Sequence, residues 1–241
     1  MRTLTVVMCL LSESTSQAQE FRRGCDKITP EEVSLINKVA ESFNVPAGLL
    51  YGIWRKESSC LADGYRSGPS DWYLAAGLMT SESKCVYNYG WSRCVKHWQA
   101  LVAMCSQVRK SGSLSGQKVC DPFEVYTSYA LAMGPTQHMP GEIFEKKVFD
   151  DGTYTFVYTL AAIDFDGDGV VDLHSLADSM AITAYQLSVY KRDKKFDTWP
   201  NAAIRYFGWA NGSRRYYYGS HGKKNGVRHY WREWCHDHGC R

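Results

Sequence analysis

The chain has 241 residues, 8 Trp and 16 Tyr among them, and a formal net charge of +3. That length can bury a real core and suits one large domain, or a domain with an insertion. Nothing forms a nucleic-acid stripe, although a mild basic excess suits an anionic polymer.

The first residues read as an export signal. Met1-Arg2 is basic, Leu4 to Leu11 is a short apolar run, and Ser16-Gln17-Ala18 is a small-x-small cleavage site. Residues 1–18 are therefore expected to be removed, leaving 19–241 as a periplasmic or secreted protein. Cys9 follows Val7-Met8, a poor lipidation context. No later segment is long and apolar enough to span a membrane. The mature chain keeps Cys25, Cys60, Cys85, Cys94, Cys105, Cys120, Cys235 and Cys240. An even set in an exported protein implies disulfides. Cys85 with Cys94 and Cys235 with Cys240 are the sequence-local pairings, and the other connectivities stay open.

Thr29-Pro30-Glu31-Glu32 opens the first helix with a capping box and a proline in its first turn. Val33, Ile36, Val39, Ala40 and Phe43 form its apolar face. A second helix begins at Val45-Pro46 and carries Leu49, Leu50, Ile53 and Trp54 at helical spacing. Glu57 falls on or beside that buried face, four residues after Ile53. A carboxyl held against apolar and aromatic groups resists ionisation, which is how a general acid stays protonated near neutral pH. The plainer reading is a solvated Glu, or one paired with Arg55 or Lys56.

Residues 61–93 show no helical period and read as loop or insertion. Val95 to Val108 reads as a helix, and Lys110 to Gly116 as a linker. Phe123 to Met133 is apolar and leads into Gly134-Pro135. Val148 to Tyr158 alternates around Asp150-Asp151-Gly152, which predicts a β-hairpin. Leu176 to Tyr190 is an amphipathic helix, and Thr198-Trp199-Pro200 starts another through Phe207. The end is basic, aromatic and rich in His and Cys.

Two further stretches carry chemistry. In Ala130 to Pro140, a Gly-Pro step and a second proline enclose Gln137 and His138 in a tight segment. Gln137 both donates and accepts, which suits an acetamido or hydroxyl group. In Asp164-Phe165-Asp166-Gly167-Asp168-Gly169-Val170-Val171-Asp172, Asp stands at loop positions one, three, five and nine, with Gly at six. Val170 is placed to offer its carbonyl at seven, the arrangement that wraps calcium. Position twelve is Ser175 rather than Glu, and the next carboxylate, Asp178, comes three residues later. Cys235-His236-Asp237-His238-Gly239-Cys240 has zinc-like composition, but a disulfide suits an exported chain better.

In this order the stretches resemble the catalytic domain of lytic transglycosylases of the membrane-bound B type. In that family a Val-Pro-opened helix ends in the catalytic Glu. An Ala-Met-Gly-Pro-x-Gln-x-Met-Pro segment and an Asp-Phe-x-Gly-Asp-Gly loop follow. The matches here are Val45 to Glu57, Ala132 to Pro140 and Asp164 to Gly169, then Leu173 to Tyr190 and, with altered spacing, Arg205 to Ser213. The motif core covers about 30–215, with 216–241 as a basic extension. Where the family has Phe after Gln137, this chain has His138.

The resemblance implies a mainly α (α+β) lysozyme-like transglycosylase fold with a small β-hairpin and an EF-hand-like loop, stapled by disulfides. It implies cleavage of peptidoglycan glycan strands between N-acetylmuramic acid and N-acetylglucosamine, with 1,6-anhydromuramoyl ends. Glu57 would be the single acid and base, and Met133, Gly134, Gln137, Tyr206 and Asn211 would line the cleft. Calcium would sit on Asp164, Asp166, Asp168, Val170 and Asp172, with no organic cofactor. Trp72, Tyr73 and Trp91 are candidates for stacking on sugars. Attack by water instead would make the protein a hydrolytic muramidase. A non-catalytic, calcium-braced glycan-binding or envelope-assembly module is the other class, and a cell-envelope machine a further partner.

Overall fold

The computed structural model describes residues 25, 28–60, 86, 90–106, 131–208, 213–219 and 224–240. The signal segment, Trp72, Tyr73, Asn211 and the Cys85–Cys94 pairing lie outside them.

Helix α1 (Pro30–Phe43) starts as its capping box predicts: Thr29 Oγ1 accepts from the Glu32 N–H at 3.2 Å, and Glu32 accepts from the Thr29 N–H at 2.7 Å. Asn44 takes a left-handed φ of 52° and stops it. Pro46 then caps α2 (Ala47–Ser58), which is buried on almost every side from Gly48 to Trp54. Ser59 and Cys60 both turn left-handed, at φ 55° and 59°. Cys60 is bonded to Cys25, so the end of α2 is fastened to the chain just before α1.

Helix α3 (Trp91–Cys105) begins four residues earlier than its apolar period suggests, because Gly90 caps it at a φ of 81° that other residues avoid. The short α4 (Pro140–Ile143) runs straight into strand β1 (Phe144–Val148). Strand β2 (Tyr154–Tyr158) pairs antiparallel with β1, Phe144 opposite Tyr158 and Val148 opposite Tyr154. The hairpin is thus centred where expected, but its first strand lies N-terminal to Val148. Asp151 Oδ1 accepts from both the N–H and the hydroxyl of Thr153, at 2.9 and 2.6 Å. That turn needs an arm on each side, and the charged Glu145, Lys146 and Lys147 hide the first one from an apolar pattern. Helices α5 (Leu176–Arg192), α6 (Trp199–Tyr206), α7 (Ser213–Tyr218) and α8 (Val227–His238) complete the described chain. The fold is mainly helical with one small hairpin, as expected.

Two apolar cores form. One joins Ile36 and Val39 of α1, Leu49, Leu50, Ile53 and Trp54 of α2, and Met180, Ala184 and Leu187 of α5 with residues of α6, α7 and α8. The other joins Trp98, Leu101 and Met104 of α3 to Leu131, Met133, Ile143, Phe144, Leu173 and Ile182. Helix α5 contributes to both and is the wall between them. The C-terminal helix is tightly integrated. Gly48 and Gly52 let α2 and α8 meet closely: a Cβ on Gly52 would lie 2.7 Å from the Val227 carbonyl oxygen, and one on Gly48 would strike Trp231. The Cys235–Cys240 disulfide closes the end of α8, and Cys94 and Cys105 each form a disulfide, though not with each other.

Candidate active site

Glu57 sits in the last turn of α2, beyond the fully enclosed Ile53 and Trp54. Its side chain keeps some contact with solvent. Even so, burial pushes its carboxyl up to about 7, against smaller opposing effects from the Tyr216 hydroxyl and Lys56. The neighbouring cations are occupied elsewhere. Arg55 pairs with Glu233 of α8 at 2.7 Å and stacks over Tyr230, and Lys56 donates to the Asn225 carbonyl at 3.0 Å. The expectation of a carboxyl held against the core is the one the geometry supports, rather than a local ion pair. Among the described residues, no other carboxylate acts on Glu57.

Two tyrosines face it. Tyr216 of α7 is 4% exposed and stacks on Phe207 at 4.4 Å. Its hydroxyl is close enough to hold the Glu57 carboxyl down slightly. Yet among the described residues it is the buried side-chain polar atom with no partner at hydrogen-bonding geometry. Catalytic hydrogen bonds often tighten only when substrate binds. Tyr206 donates to the Thr136 carbonyl at 2.8 Å. Burial, and then the charge of Glu57, raise both phenols well above their usual range, so both remain O–H donors.

Tyr206 ties Glu57 to the Gly-Pro segment. There Met133 and His138 pair backbone to backbone at 2.8 Å in both directions, closing a tight loop over Gly134 to Gln137. Gly134 has a φ of 74°, and a Cβ there would collide with the Leu173 carbonyl, so only glycine fits. Gln137 holds a left-handed φ of 59°, and its side-chain N–H donates to the Gly134 carbonyl at 2.9 Å. Strained backbone of this kind persists where surrounding structure over-determines it, and it concentrates at functional sites. Thr136 is clamped to α5 by a 2.6 Å contact with Ser179 Oγ. The structure therefore brings Gly134, Gln137 and Tyr206 into one connected region whose Tyr206 phenol feels the charge of Glu57; Met133, expected to line the cleft, instead points into the second core, where its apolar side chain is fully buried.

The acidic loop folds on its own backbone. Asp164 accepts from the N–H groups of Gly167 and Gly169 at 2.7 and 2.8 Å. Asp168 accepts from Val170 at 2.8 Å, and Asp172 from His174 at 2.9 Å. The carboxylate oxygens that converge within 4.8 Å of one another belong to Asp164, Asp166 and Asp178. Asp168 and Asp172 do not join them. Asp178, three residues beyond the expected closing position, arrives because it sits in the first turn of α5, where side chains lean back toward the N-terminus. It receives the N–H groups of Phe165 and Asp172 at 2.7 and 2.9 Å. Ser175, at position twelve, donates to Asp166 at 3.1 Å. Burial, with Asp166 and Asp164 alongside, raises the Asp178 carboxyl to about 7, the crowding that a divalent cation relieves.

Sequence reasoning passed over Tyr216 and Asp178. The Ser175-x-x-Asp178 start of α5 is a capping-box pattern and was the available signal for Asp178. Tyr216 lies in a basic aromatic run that reads equally well as surface.

No protein-family model matches the chain, and no curated protein does. Solved structures do match, each at 20% identity over 68% of this chain. They are the Escherichia coli lytic transglycosylase Slt35 in complex with calcium at a TM-score of 0.44, and the same enzyme in complex with bulgecin A at 0.43. A 36 kDa muramidase/transglycosylase matches at 0.44. The chain spans under half the length of these proteins, 46%, 45% and 46% in turn. The functional reading comes from the surroundings of Glu57 themselves.

Proposed function

We propose that this protein is an exported peptidoglycan lytic transglycosylase of the membrane-bound B type, with Glu57 as its only general acid and base. One observation carries the reading: a partly open Glu carboxyl, pushed up to about 7 by burial, with no second carboxylate acting on it among the described residues. Most glycosidases need two carboxyls. One suffices where the nucleophile belongs to the substrate.

Glu57 protonates the oxygen of the N-acetylmuramoyl–N-acetylglucosamine bond, and the bond between that oxygen and the muramoyl anomeric carbon breaks. The acetamido group helps to hold the developing positive charge. Glu57, now a carboxylate, takes the proton of the muramoyl 6-hydroxyl as that oxygen bonds to the anomeric carbon. The acid is thereby regenerated, water is not consumed, and the product is a 1,6-anhydromuramoyl end. Tyr216 steadies the carboxylate between the two steps, since its buried hydroxyl has no other partner. Gly134, Gln137 and Tyr206 line the cleft and orient the sugar, whereas the Met133 side chain is shut inside the second core.

Asp164, Asp166 and Asp178 would hold a calcium ion. The ion would supply charge neutralisation and bracing for the start of α5. Disulfides are consistent with an oxidising compartment outside the cytoplasm. Among the described residues no helix is long and apolar enough to cross a membrane. The reading is tested by turbidity clearing of purified peptidoglycan. Wild-type protein should clear it and Glu57→Gln should not; equal clearing would remove Glu57 from the mechanism.

A further inference from the structure

The β1–β2 hairpin carries its large apolar residues on one face. Side chains alternate along a strand, and residues directly opposite one another share a side. The register sets Phe144 opposite Tyr158, Lys146 opposite Phe156 and Val148 opposite Tyr154. These therefore stand together, while Glu145, Lys147, Thr155 and Val157 occupy the other side. At one end the face is anchored: Phe144 is buried in the second core, and the Tyr158 ring lies 4.5 Å from it. Toward the turn it opens, where Tyr154 is 55% and Val148 61% exposed. Large apolar groups exposed together mark an interaction site.

Helix α3 continues this surface. Trp91, its first residue, is 52% exposed. A groove of about 610 Å³ runs between helix and hairpin. Trp91, Val95, Phe144 and Phe156 give it an apolar lining, and Gln99 adds an amide. Lys146, on its rim, lays Nζ 3.8 Å from the centre of the Tyr154 ring, which joins the groove to the open end of the hairpin face. Aromatic rings with a few placed polar groups are the make-up of a ligand site. A sugar suits this one. Its C–H face can lie on an aromatic ring, while hydroxyl and acetamido groups meet Gln99, which both donates and accepts.

Charge narrows the occupant. Helix α3 has no acidic residue, and the groove sets Lys96 and Lys146 against one carboxylate, Glu145. The turn carboxylates Asp150 and Asp151 lie beyond Val148, and Asp151 is taken up by Thr153. The local excess is positive and favours an anionic polymer. Peptidoglycan meets both demands, with sugar rings and with carboxylates on its stem peptides. The groove rests on the second core, whereas Glu57 follows Trp54 of the first, and α5 stands between the two cores. None of the residues lining the groove acts on Glu57.

We propose that this groove and the open hairpin face form a second binding surface for peptidoglycan glycan strands, separate from the bond that Glu57 cuts. This rests on the substrate proposed above. A strand held there raises its own effective concentration at Glu57.

The test is an NMR titration of the full chain carrying Glu57→Gln, so that no bond is cut. The probes are soluble, peptide-bearing glycan fragments and, as the neutral comparison, an N-acetylglucosamine hexamer. The Gln99 side-chain amide and the backbone N–H groups of Lys146 and Phe156 should shift with the fragments and yield one Kd. Tyr154→Ser with Trp91→Ser should raise that Kd about tenfold, the scale of lost aromatic anchors. Lys96→Glu with Lys146→Glu should raise it about as much for the fragments and leave the hexamer unaffected. All four side chains are exposed, and circular dichroism verifies folding; if one pair does not fold, the other decides. Unshifted groove signals, or a Kd that neither pair changes, overturn the proposal. Equal weakening for the hexamer overturns the assignment to an anionic strand. Self-association in sedimentation velocity that Tyr154→Ser with Trp91→Ser abolishes also overturns it, because the face would then join two copies of the chain. Wild-type protein that leaves peptidoglycan intact overturns the enzymatic reading instead, and the titration still decides the groove.

Discussion

Replacing Glu57 with Gln should stabilise the protein while abolishing its chemistry. The folded carboxyl titrates at about 7, against an ordinary value of 4.5. Between those values the folded state keeps a proton that the unfolded chain has released, so rising pH favours unfolding. Full stability is present below the lower value, and the whole penalty is felt above the upper one. A gap of about 2.5 pH units at ~1.36 kcal/mol each gives roughly 3 kcal/mol. Solvent at the open side of Glu57 trims this to about 2–3 kcal/mol. Gln does not titrate and avoids the penalty. Urea denaturation of both proteins, disulfides intact and calcium fixed, should give equal stabilities near about pH 4. Near about pH 8 the Gln variant should be more stable by about 2–3 kcal/mol. The Asp178 carboxyl is common to both and cancels. A difference that does not change with pH would show that burial does not raise the Glu57 carboxyl, and the acid would lose its basis.

Other outcomes follow from the packing. Gly52→Ala puts a methyl against the Val227 carbonyl and should cost about 1–3 kcal/mol in a thermal melt; an unchanged melt would contradict the close contact of α2 and α8. Removing the Cys25–Cys60 bridge, which spans 35 residues, with paired Ser substitutions should cost about 3–4 kcal/mol. It should also lower activity more than stability alone explains, since Cys60 lies three residues beyond Glu57; a loss of stability with full specific activity would refute that link. For the loop, calorimetry should detect one calcium site that Asp178→Asn removes and Asp168→Asn only weakens. Loss in Asp168→Asn alone would show that Asp168, not Asp178, is the ligand.

Much of this was legible in the sequence where chemistry is local. The capping box at Thr29, the Pro46 start, the Asp-rich loop and the Cys235–Cys240 bridge all depend on residues a few positions apart. Glu57 was legible because helical spacing places it beside Ile53 and Trp54. What was not legible depends on contacts distant in sequence. Asp178 closes the acidic cluster only because the chain folds back onto the start of α5. Tyr216 reaches Glu57 from across 158 intervening residues. The C-terminal helix reads as a charged surface, yet two glycines in α2, unremarkable by pattern, are what admit it. His138 departs from the expected Phe, and its partners appear only in the fold, where Nε2 lies 3.0 Å from both the Ser179 carbonyl oxygen and Thr183 Oγ1.

The central claim is that one carboxyl, with no second carboxylate acting on it among the described residues, drives an intramolecular attack. The direct measurement is mass spectrometry of the muropeptides released from purified peptidoglycan. Wild-type protein should yield 1,6-anhydromuramoyl products, each lighter by one water than the corresponding reducing end, and Glu57→Gln should yield none. Reducing ends without anhydro product would contradict the account and mean that water, not the 6-hydroxyl, reaches the anomeric carbon.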